Sequence, residues 1–526
     1  MYVWGMFVGI ILTLFYTALF IWIIFRWKFF HFEGIRKIEL SLIFIVKILA
    51  GSVLALIYTY YYKNRDEADI FKFFDDSQYL FNAIYVNPLH YLQLVFGINA
   101  DAEYLKGYVQ HTKYWALQTS DYWKFTATPN NNFFNSFRLI TQFNAFVRLF
   151  SFGHYTVHTV FMCFISLIGL TALYKAFYKF LKEKRILLIF SVFLMPSVLL
   201  WSSGVLKEGF IFLSLGLFVY SFFEMVHHKI TTQYSIIFIL SFLLTAFLKY
   251  YLIAALVPAM LAYWIGEKTK IKHKITVYLS LYGCLFLGLL LISFIPKFPN
   301  PVKILADKQS ELIRESKGGS YCYLRINDAV KETVYFPPET KIVKTLTDSA
   351  RKIFKVQPGI KAYKYKDGKI TDATILITEE ANVNTDFWEI YKTQPSGSLI
   401  NISELYPCLS SVLKAAPSGI LNVLFRPDIH EISSAMMVPA ACENLLILFL
   451  IILSIIFFKV NKSDVNLILF LLSSFLVLFL IIGITTPTLG GIVRYKSPLL
   501  PFLMMFLLSL TDINKLNYLF KNKRKR

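Results

Sequence analysis

The feature that most constrains this chain is the recurrence of apolar segments long enough to cross a lipid bilayer as helices. Such a helix needs roughly 20 predominantly apolar residues. Segments of about this length cover residues 3–25, 39–62, 154–177, 186–203, 205–226, 233–248, 250–266, 275–295, 441–459, 464–484 and 497–511. The segments beside Gly204 and Lys249, and the short last one, also fit broken or re-entrant helices. The sequence therefore predicts an all-α polytopic membrane protein with about 11 transmembrane helices.

The composition excludes the main classes of soluble protein. Hydrophobic residues make up 56% of the 526 residues and charged residues only 17%, against about 25% charged in soluble domains. The net charge of +21 would suggest nucleic-acid binding in a soluble chain. In a polytopic chain it indicates orientation instead, because Lys and Arg concentrate in cytoplasmic loops. We therefore expect membrane lipids, and no nucleic acid, as partners.

The basic residues predict the orientation. They cluster after the first, third and seventh apolar segments and after the last one, over residues 26–37, 175–185, 268–274 and 515–526. Eleven spans that start from an outside N-terminus place every one of these clusters in the cytoplasm. The first segment lacks a preceding basic region and a small-residue cleavage site, so we expect a retained span rather than a signal peptide.

Two long hydrophilic stretches divide the chain, and the same scheme places both outside. The first carries acidic residues and many aromatics and predicts amphipathic interfacial helices near residues 69–80 and 134–150. The second predicts a small inserted α+β extracytoplasmic domain, with a helix over 302–315 and a hairpin over 361–378. The predicted units are helices one and two (1–62), the acidic loop (63–153), helices three to eight (154–295), the inserted domain (296–440), helices nine to eleven (441–511) and a basic cytoplasmic tail (512–526).

Polar residues beside the spans form four clusters, over residues 65–79, 196–209, 249–251 and 485–498. The orientation was derived without them, yet it places all four on the outer face. Polar groups at membrane depth are costly and often functional. One side of the predicted site is acidic, with the catalytic candidates Asp75, Asp66, Asp76 and Glu67. The other side is basic, with the anion-binding candidates Arg494, Lys496, Lys207 and Lys249.

Each cluster also has a purely structural interpretation. One helical face carries Arg65, Asp69, Lys72 and Asp76, which fits a solvated stripe of ion pairs. Asp75 lies off this face. Lys207 and Glu208 fit an ion pair at a helix border. Arg494 fits a side chain that reaches toward lipid headgroups.

The combination of cations with apolar helices suits a lipid phosphate, whose head binds Lys and Arg while its tail lies along the helices. A carboxylate opposite would take a proton from an acceptor hydroxyl as general base. Alternatively, Asp66 and Asp69 would hold a divalent cation, Mg²⁺ or Mn²⁺; the other expectation is that no cofactor is needed. Aromatic candidates for the substrate pocket are Tyr79, Trp201, Tyr250 and Tyr495.

The cysteines, and a search for nucleotide- and metal-binding motifs, add little to the prediction of function. Cys322 and Cys408 both lie in the inserted domain, where an oxidising compartment permits a disulfide, but spacing alone leaves the bridge open. The sequence has no Walker or GxGxxG motif and no metal-ligand spacing of the CxxC or HExxH type.

Three short motifs resemble the glycosyltransferase C (GT-C) superfamily of polytopic enzymes that use polyprenyl-phosphate sugars. Asp75, Tyr79 and Ala83 match its acidic motif in the first large outer loop, and Asp66-Glu67 resembles its acidic pair. Residues 494–501 resemble its late Arg-Tyr and Pro-Leu-Leu-Pro segment, and residues 201–209 resemble loops of bacterial proteins of capsule and O-antigen biosynthesis. The acidic loop follows the second span here, where the superfamily has it after the first, and the soluble domain is inserted rather than C-terminal.

The resemblance implies a glycosyltransferase of the bacterial cytoplasmic (inner) membrane that moves a hexosyl or pentosyl group on the extracytoplasmic face. The donor would be a polyprenyl-phosphate-linked sugar, and the acceptor a glycan, a lipid or a protein. One alternative is a polymerase or ligase of lipid-linked oligosaccharides, which needs the same cations but depends less on loop carboxylates. A second is a transporter or an envelope-assembly protein, although the chain shows no internal repeat.

Overall fold

The structure, a computed structural model, is mostly helical. It describes residues 2–61, 65, 68–116, 135–269, 271–293, 295, 300–326, 329–338, 340, 342–348, 351–356, 361–366, 369–376, 385–393, 395–460, 464–512 and 515. Asp66 and Glu67, two of the predicted site residues, lie outside these ranges.

The helices before the inserted domain are α1 (Tyr2–Arg26), α2 (Lys37–Tyr61), α3 (Asp69–Val86), α4 (Pro88–Phe96), α5 (Glu103–Val109), α6 (Lys113–Ala116), α7 (Ser136–Ser151), α8 (Tyr155–Tyr178), α9 (Arg185–Ile189), α10 (Pro196–Trp201), α11 (Glu208–His227), α12 (Thr232–Lys268) and α13 (Lys274–Ser293). The inserted domain begins with α14 (Pro301–Lys317). After its sheet follow α15 (Leu409–Phe425), α16 (Val438–Ile456), α17 (Val465–Thr485), α18 (Leu489–Lys496) and α19 (Leu500–Leu510).

Among the described residues, nine helices are long and apolar enough to cross a membrane: α1, α2, α8, α11, α12, α13, α16, α17 and the combined length of α18 and α19. A regular helix pairs its own backbone groups, which is the condition for stability in hydrocarbon. The chain therefore has the architecture of a multi-pass membrane protein.

Helix α12 is two antiparallel arms that meet at Lys249. Lys249 has extended backbone angles (φ −153°, ψ 89°). Tyr234 in the first arm lies 6.0 Å from Tyr220 between ring centroids, and Tyr263 in the second arm lies 5.0 Å from Phe223. In a straight helix, Tyr234 and Tyr263 would be roughly 43 Å apart. Since both contact the C-terminal part of α11, the chain reverses at Lys249.

The apolar segment over 186–203 is a broken helix, which is one of the forms that the sequence left open. Helix α9 passes into a π-helical turn over Phe190–Leu194, and a new helix, α10, starts at Pro196. Proline lacks the N–H that a helix interior needs but is well accommodated in a first turn. Residues 185–201 therefore form a broken helix instead of a regular one.

The bundle is centred on the crossing of α8 and α11. Gly169 and Gly216 meet there, and a Cβ atom added to Gly216 would lie 1.8 Å from the Gly169 carbonyl oxygen. Small residues permit such close approach between helices in a membrane. Phe177 and Phe223 pack with ring centroids 5.1 Å apart further along the same pair of helices.

The stretch between α2 and α8 forms a helical cap in which α3 packs against α7. Phe73, Asp76, Ser77 and Leu80 of α3 are buried. Arg148 of α7 reaches across and donates from Nε to the Ser77 hydroxyl at 2.7 Å. The two predicted amphipathic helices therefore pack on each other through their inner faces.

The inserted domain contains a seven-stranded antiparallel sheet with the order β3-β4-β7-β1-β2-β5-β6. The strands are β1 (Gly319–Ile326), β2 (Ala329–Phe336), β3 (Ile342–Asp348), β4 (Arg351–Val356), β5 (Lys361–Lys366), β6 (Lys369–Leu376) and β7 (Thr385–Thr393). Gln309 joins α14 to the bundle, since its Nε2 donates to the Ile484 carbonyl of α17 at 2.7 Å.

The proposed disulfide between Cys322 and Cys408 is absent from this part of the chain. Cys322 is buried in β1, where its backbone pairs with Val334 and Glu389 of the neighbouring strands. Cys408 is exposed at the start of α15 and contacts the Ser410 hydroxyl. The two thiols belong to different structural units, which spacing along the chain could not reveal.

The Gly169–Gly216 contact predicts that a side chain at this crossing is destabilising. We expect Gly216→Val to lower the free energy of unfolding by about 3 kcal/mol, because the helices must separate to admit it. Gly283→Val in α13 is the matched control, since a Cβ there meets nothing within 4 Å. Unfolding in detergent micelles measures both variants. Equal stability of the two would contradict the proposed contact.

Candidate functional site

Four charged side chains meet at one end of the bundle: Asp69, Glu208, Lys249 and Arg494. They come from α3, α11, the reversal in α12 and α18. Each belongs to a different one of the four polar clusters in the sequence. The structure thus brings together one residue from every cluster, and we call this group, with Lys72 and Lys207, the charged site.

Arg494 is the centre of the charged site. Its Nε and Nη2 donate to the two carboxylate oxygens of Glu208 at 2.7 and 3.0 Å, and its Nη1 donates to Asp69 at 3.0 Å. The planar guanidinium suits this forked geometry, which an ammonium group does not reproduce. Arg494 therefore ties α18 to α11 and to the helical cap.

Glu208 is fully buried at the first position of α11. The chain before it is non-helical over residues 202–207, so α11 begins inside the structure rather than at its edge. Lys249 approaches the same carboxylate at 3.5 Å. Two cations thus compensate Glu208, as a buried carboxylate requires.

Asp69 is the first residue of α3 and is half-buried. The Tyr114 hydroxyl donates to its Oδ1, and Lys72 lies 3.8 Å away. Burial by itself would raise the pKa of Asp69, but the charges of Arg494 and Lys72 outweigh burial and hold that pKa below its usual value. Asp69 is therefore ionised at neutral pH.

Asp76 fixes the position of Tyr114 through hydrogen bonds to the backbone. Its carboxylate accepts the backbone N–H groups of Lys113 and Tyr114, each at 2.8 Å. Burial raises the pKa of Asp76, although these two hydrogen bonds oppose it. Burial and the charge of Asp69 also raise the pKa of Tyr114 well above its usual value, so Tyr114 remains a hydrogen-bond donor.

Lys207 is the cation without a carboxylate partner. Its Nζ lies 3.9 Å from the centroid of the Phe137 ring and 3.5 Å from the Ser136 hydroxyl. No carboxylate among the described residues lies within 4.0 Å of it. Burial, and next the charge of Lys249, lower the pKa of Lys207 well below its usual value. A bound anion would stabilise the protonated form of Lys207 and so oppose both of these effects on its pKa.

Aromatic rings line the charged site. The Arg494 guanidinium lies 5.5 Å from the Trp201 ring centroid, and Lys249 Nζ lies 4.6 Å from that of Tyr495. The Tyr251 hydroxyl is buried, and no hydrogen-bond partner for it exists among the described residues. Of the predicted pocket residues, Trp201 and Tyr495 thus contact the site, whereas Tyr250 is 63% exposed beside it.

The carboxylate that the sequence favoured, Asp75, lies elsewhere. It forms a forked ion pair with Arg65 at 2.9 Å, and the two side chains are 50% exposed for Arg65 and 37% exposed for Asp75. Tyr79 is also exposed and lies near the His111 ring. The predicted solvated stripe is wrong at Asp76, because the packing of α3 on α7 turns that residue inward. Asp69, which the sequence placed in that stripe and offered as a metal ligand, is the carboxylate of α3 that contacts Arg494 and Lys72.

Lys496 is not part of the charged site. It is fully buried and donates to the Asn444 side chain at 2.6 Å and to the Val423 carbonyl at 3.2 Å. Successive residues of a helix are rotated by about 100°, so Lys496 and Arg494 leave α18 in nearly opposite directions. Lys496 instead joins α18 to α15 and α16.

The sequence predicted for Glu208 only an ion pair with Lys207 at a helix border, and it did not single out Tyr114. A carboxylate at the start of an otherwise apolar span was the one available indication for Glu208. No sequence pattern indicated that Tyr114 would bond to Asp69, because a long loop brings the two together.

The described part of the charged site does not form a metal site, and Asp66, the other predicted metal ligand, lies outside the described residues. Among the described residues, no group of three or more His, Cys, Asp and Glu side chains is arranged to hold one. Both carboxylates of the charged site are bonded to Arg494. The expected Mg²⁺ or Mn²⁺ therefore enters no step below.

The forked bridge predicts a strong coupling between Arg494 and Glu208. We expect Arg494→Leu to lower the free energy of unfolding by about 3–5 kcal/mol, because it leaves a buried carboxylate undercompensated. Adding Glu208→Leu should restore part of that loss. The control is Arg65→Leu, which breaks an exposed forked pair and should cost about 0–1 kcal/mol. Unfolding in detergent measures all three; similar losses for the two arginines would contradict the assignment.

Comparisons with protein-family models, with curated proteins and with solved structures found no match to this chain. A functional assignment therefore rests on the chemistry of the charged site.

Proposed function

We propose that the protein is an integral membrane glycosyltransferase of the GT-C type that transfers a sugar from a polyprenyl-phosphate donor to an acceptor hydroxyl. The observation that carries the proposal is the charge balance of the charged site. Among the described residues, four cations (Lys72, Lys207, Lys249 and Arg494) face two carboxylates (Asp69 and Glu208), and neither carboxylate lies within 4.0 Å of Lys207. The positive charges of these residues outnumber the negative ones, so the site can bind one more anion.

The position of the site favours a lipid as the carrier of that anion. The charged site lies where α11, the arms of α12 and α18 meet. Helices α11 and α12, and α18 together with α19, are long and apolar enough to cross a membrane. A phosphate bound at Lys207 would leave its apolar chain beside the surfaces of such helices. Water-soluble phosphates would gain nothing from these surfaces, whereas a prenyl chain buries apolar area there.

The transfer itself requires one bond to form and one to break. The acceptor oxygen bonds to the anomeric carbon, the bond from that carbon to the phosphate oxygen breaks, and its electron pair leaves with the lipid phosphate. We assign Lys207 and Lys249 to the charge that develops on the leaving phosphate. Asp69, ionised and opposite these cations, would accept the acceptor proton as general base. Asp66 and Glu67 remain predicted members of the acidic side.

The same proposal includes the topology. The reversal at Lys249 makes two crossings of α12, and the broken helix over 185–201 adds one to the other eight helices, which gives eleven. With eleven crossings and the basic residues after the last span in the cytoplasm, as we propose, the N-terminus and the charged site would lie outside. We propose the bacterial cytoplasmic (inner) membrane, with hexosyl or pentosyl transfer on its extracytoplasmic face to a glycan, lipid or protein.

Two other functions share parts of this site. A polymerase or ligase of lipid-linked oligosaccharides would use the cations and depend less on Asp69. Transport of a lipid-linked sugar is favoured by a different observation. Lys47 in α2 and Glu443 in α16 are buried within helices of membrane-spanning length, and buried charges are frequent along transport routes. The effect of substituting Asp69 on the rate of sugar transfer distinguishes these functions.

Asp69→Asn is expected to lower sugar transfer about 10²- to 10⁴-fold, because the amide cannot accept the proton. Asp101→Asn is the control, since Asp101 is half-exposed and pairs with Arg138 in the cap. Lipid-linked sugars and glycans from a deletion strain carrying each variant are quantified by mass spectrometry. Full transfer by Asp69→Asn with loss in Lys207→Met would favour the polymerase. Unaltered lipid-linked sugars in the deletion strain would overturn the enzyme proposal.

The lowered pKa of Lys207 predicts a pH dependence of anion binding. The protonated form binds the anion, so affinity should be highest below the lowered pKa and should fall as the pH rises through it toward the ordinary range of lysine. Lys207→Arg should flatten the profile, because arginine stays charged. Binding of a short-chain polyprenyl phosphodiester, whose charge is constant over this range, is measured in nanodiscs. A flat profile for the unsubstituted protein would contradict the role of Lys207.

A further inference from the structure

Helix α10 is a short helix inside the bundle with an irregular segment on each side. The π-helical turn over Phe190–Leu194 precedes it, and the non-helical residues 202–207 follow it. A helix leaves N–H groups unpaired at its start and carbonyl groups unpaired at its end. In a low-dielectric surrounding, those groups need partners from elsewhere.

Glu443 of α16 supplies the partners at the start of α10. Its carboxylate accepts the backbone N–H of Ser197 at 2.7 Å and the Ser197 hydroxyl at 2.8 Å. Glu443 is 1% exposed. A carboxylate at a helix start matches the partial positive charge of the free N–H groups there.

Lys47 of α2 supplies the partner at the end of α10. Its Nζ donates to the Ser202 carbonyl at 3.3 Å, to the Ser203 hydroxyl at 3.3 Å and to the Ser202 hydroxyl. Ser166 of α8 also donates to the Ser202 carbonyl, at 2.6 Å. Lys47 is fully buried, and its positive charge matches the free carbonyls of a helix end.

Neither charge belongs to the charged site itself. Lys496 lies close enough to Glu443 to interact with its charge. No carboxylate of the described residues lies within 4.0 Å of Lys47, whose contacts are the oxygen atoms at the end of α10. Burying a charged lysine that contacts only the end of a helix costs desolvation free energy. This cost indicates that Lys47 has a specific role at the end of α10.

Helix α10 leads directly into the charged site. Trp201, the last residue of α10, contacts Arg494, and the chain then passes through Ser202 and Ser203 to Lys207 and Glu208. The chain at Ser203 packs closely against α2, since a Cβ atom on Gly51 would lie 2.4 Å from the Ser203 carbonyl oxygen. A displacement at either end of α10 would therefore move the groups that Arg494 contacts.

We propose that Lys47 and Glu443 are positioning residues that hold the two ends of α10 and thereby fix Trp201, Lys207 and Glu208 in the charged site. The consequence for substrate rests on the proposed function, whereas the structural effect does not. Neither residue touches the anion. They act on anion binding through the chain between Trp201 and Glu208.

The test combines hydrogen exchange with anion binding in nanodiscs. In Lys47→Met we expect the amides of residues 203–208 to exchange at least tenfold faster, with α8 and α17 unchanged. The affinity for a short-chain polyprenyl phosphodiester should fall at least tenfold. Glu443→Leu should act likewise, whereas Glu443→Gln should preserve both properties, because its amide oxygen still accepts from Ser197.

Lys175→Met is the matched control. Lys175 is also a lysine of a spanning helix, but it lies against the Phe29 and Tyr220 rings and does not contact α10. Unchanged exchange at residues 203–208 in Lys47→Met, or an equal change in Lys175→Met, would overturn the proposal. If Lys47→Met does not fold, Ser202→Ala removes one of its partners and is judged by the same exchange criterion. If the unsubstituted protein binds no phosphodiester, the proposed function fails, while the exchange rates still decide the positioning role.

Discussion

The arrangement of the whole charged end depends on the bridge that Arg494 makes to Glu208 and Asp69. Each partner is unfavourable alone, since a buried carboxylate or guanidinium loses its hydration. Two carboxylates brought together would also repel each other without the cation between them. The positions of α3, α11 and α18 are therefore mutually dependent, and Lys249 and Tyr114 take their places around this bridge.

Asp69, Glu208 and Lys249 of the charged site lie where a regular helix begins or breaks. A continuous helix satisfies its own backbone and can face lipid with apolar side chains alone. Breaks such as Lys249, the ends of α10 and the segment before Glu208 leave backbone groups that require polar partners. Those partners bring charge to membrane depth, so backbone irregularity and polar chemistry occur at the same places.

The apolar segments and the four polar clusters could be recognised from the sequence, and the structure brings a member of each cluster into one place. The individual residues were harder to predict. Asp75 and Asp69 leave α3 in directions roughly 120° apart, and the packing of α3 on α7 turned Asp69 toward the cations. Lys496 was grouped with Arg494 because they are neighbours in sequence, yet it points to the opposite side of α18.

The sequence by itself determined that the chain enters a membrane, which segments can cross it and where charge is concentrated, because hydropathy is a local property of each segment. Only the tertiary structure decided which charges pair. Arg494 lies 286 residues from Glu208 and 425 from Asp69 along the chain, and nothing local to any of them specifies the others. The pairing follows from helix packing, the reversal at Lys249 and the placement of α10, which are set by contacts between distant segments.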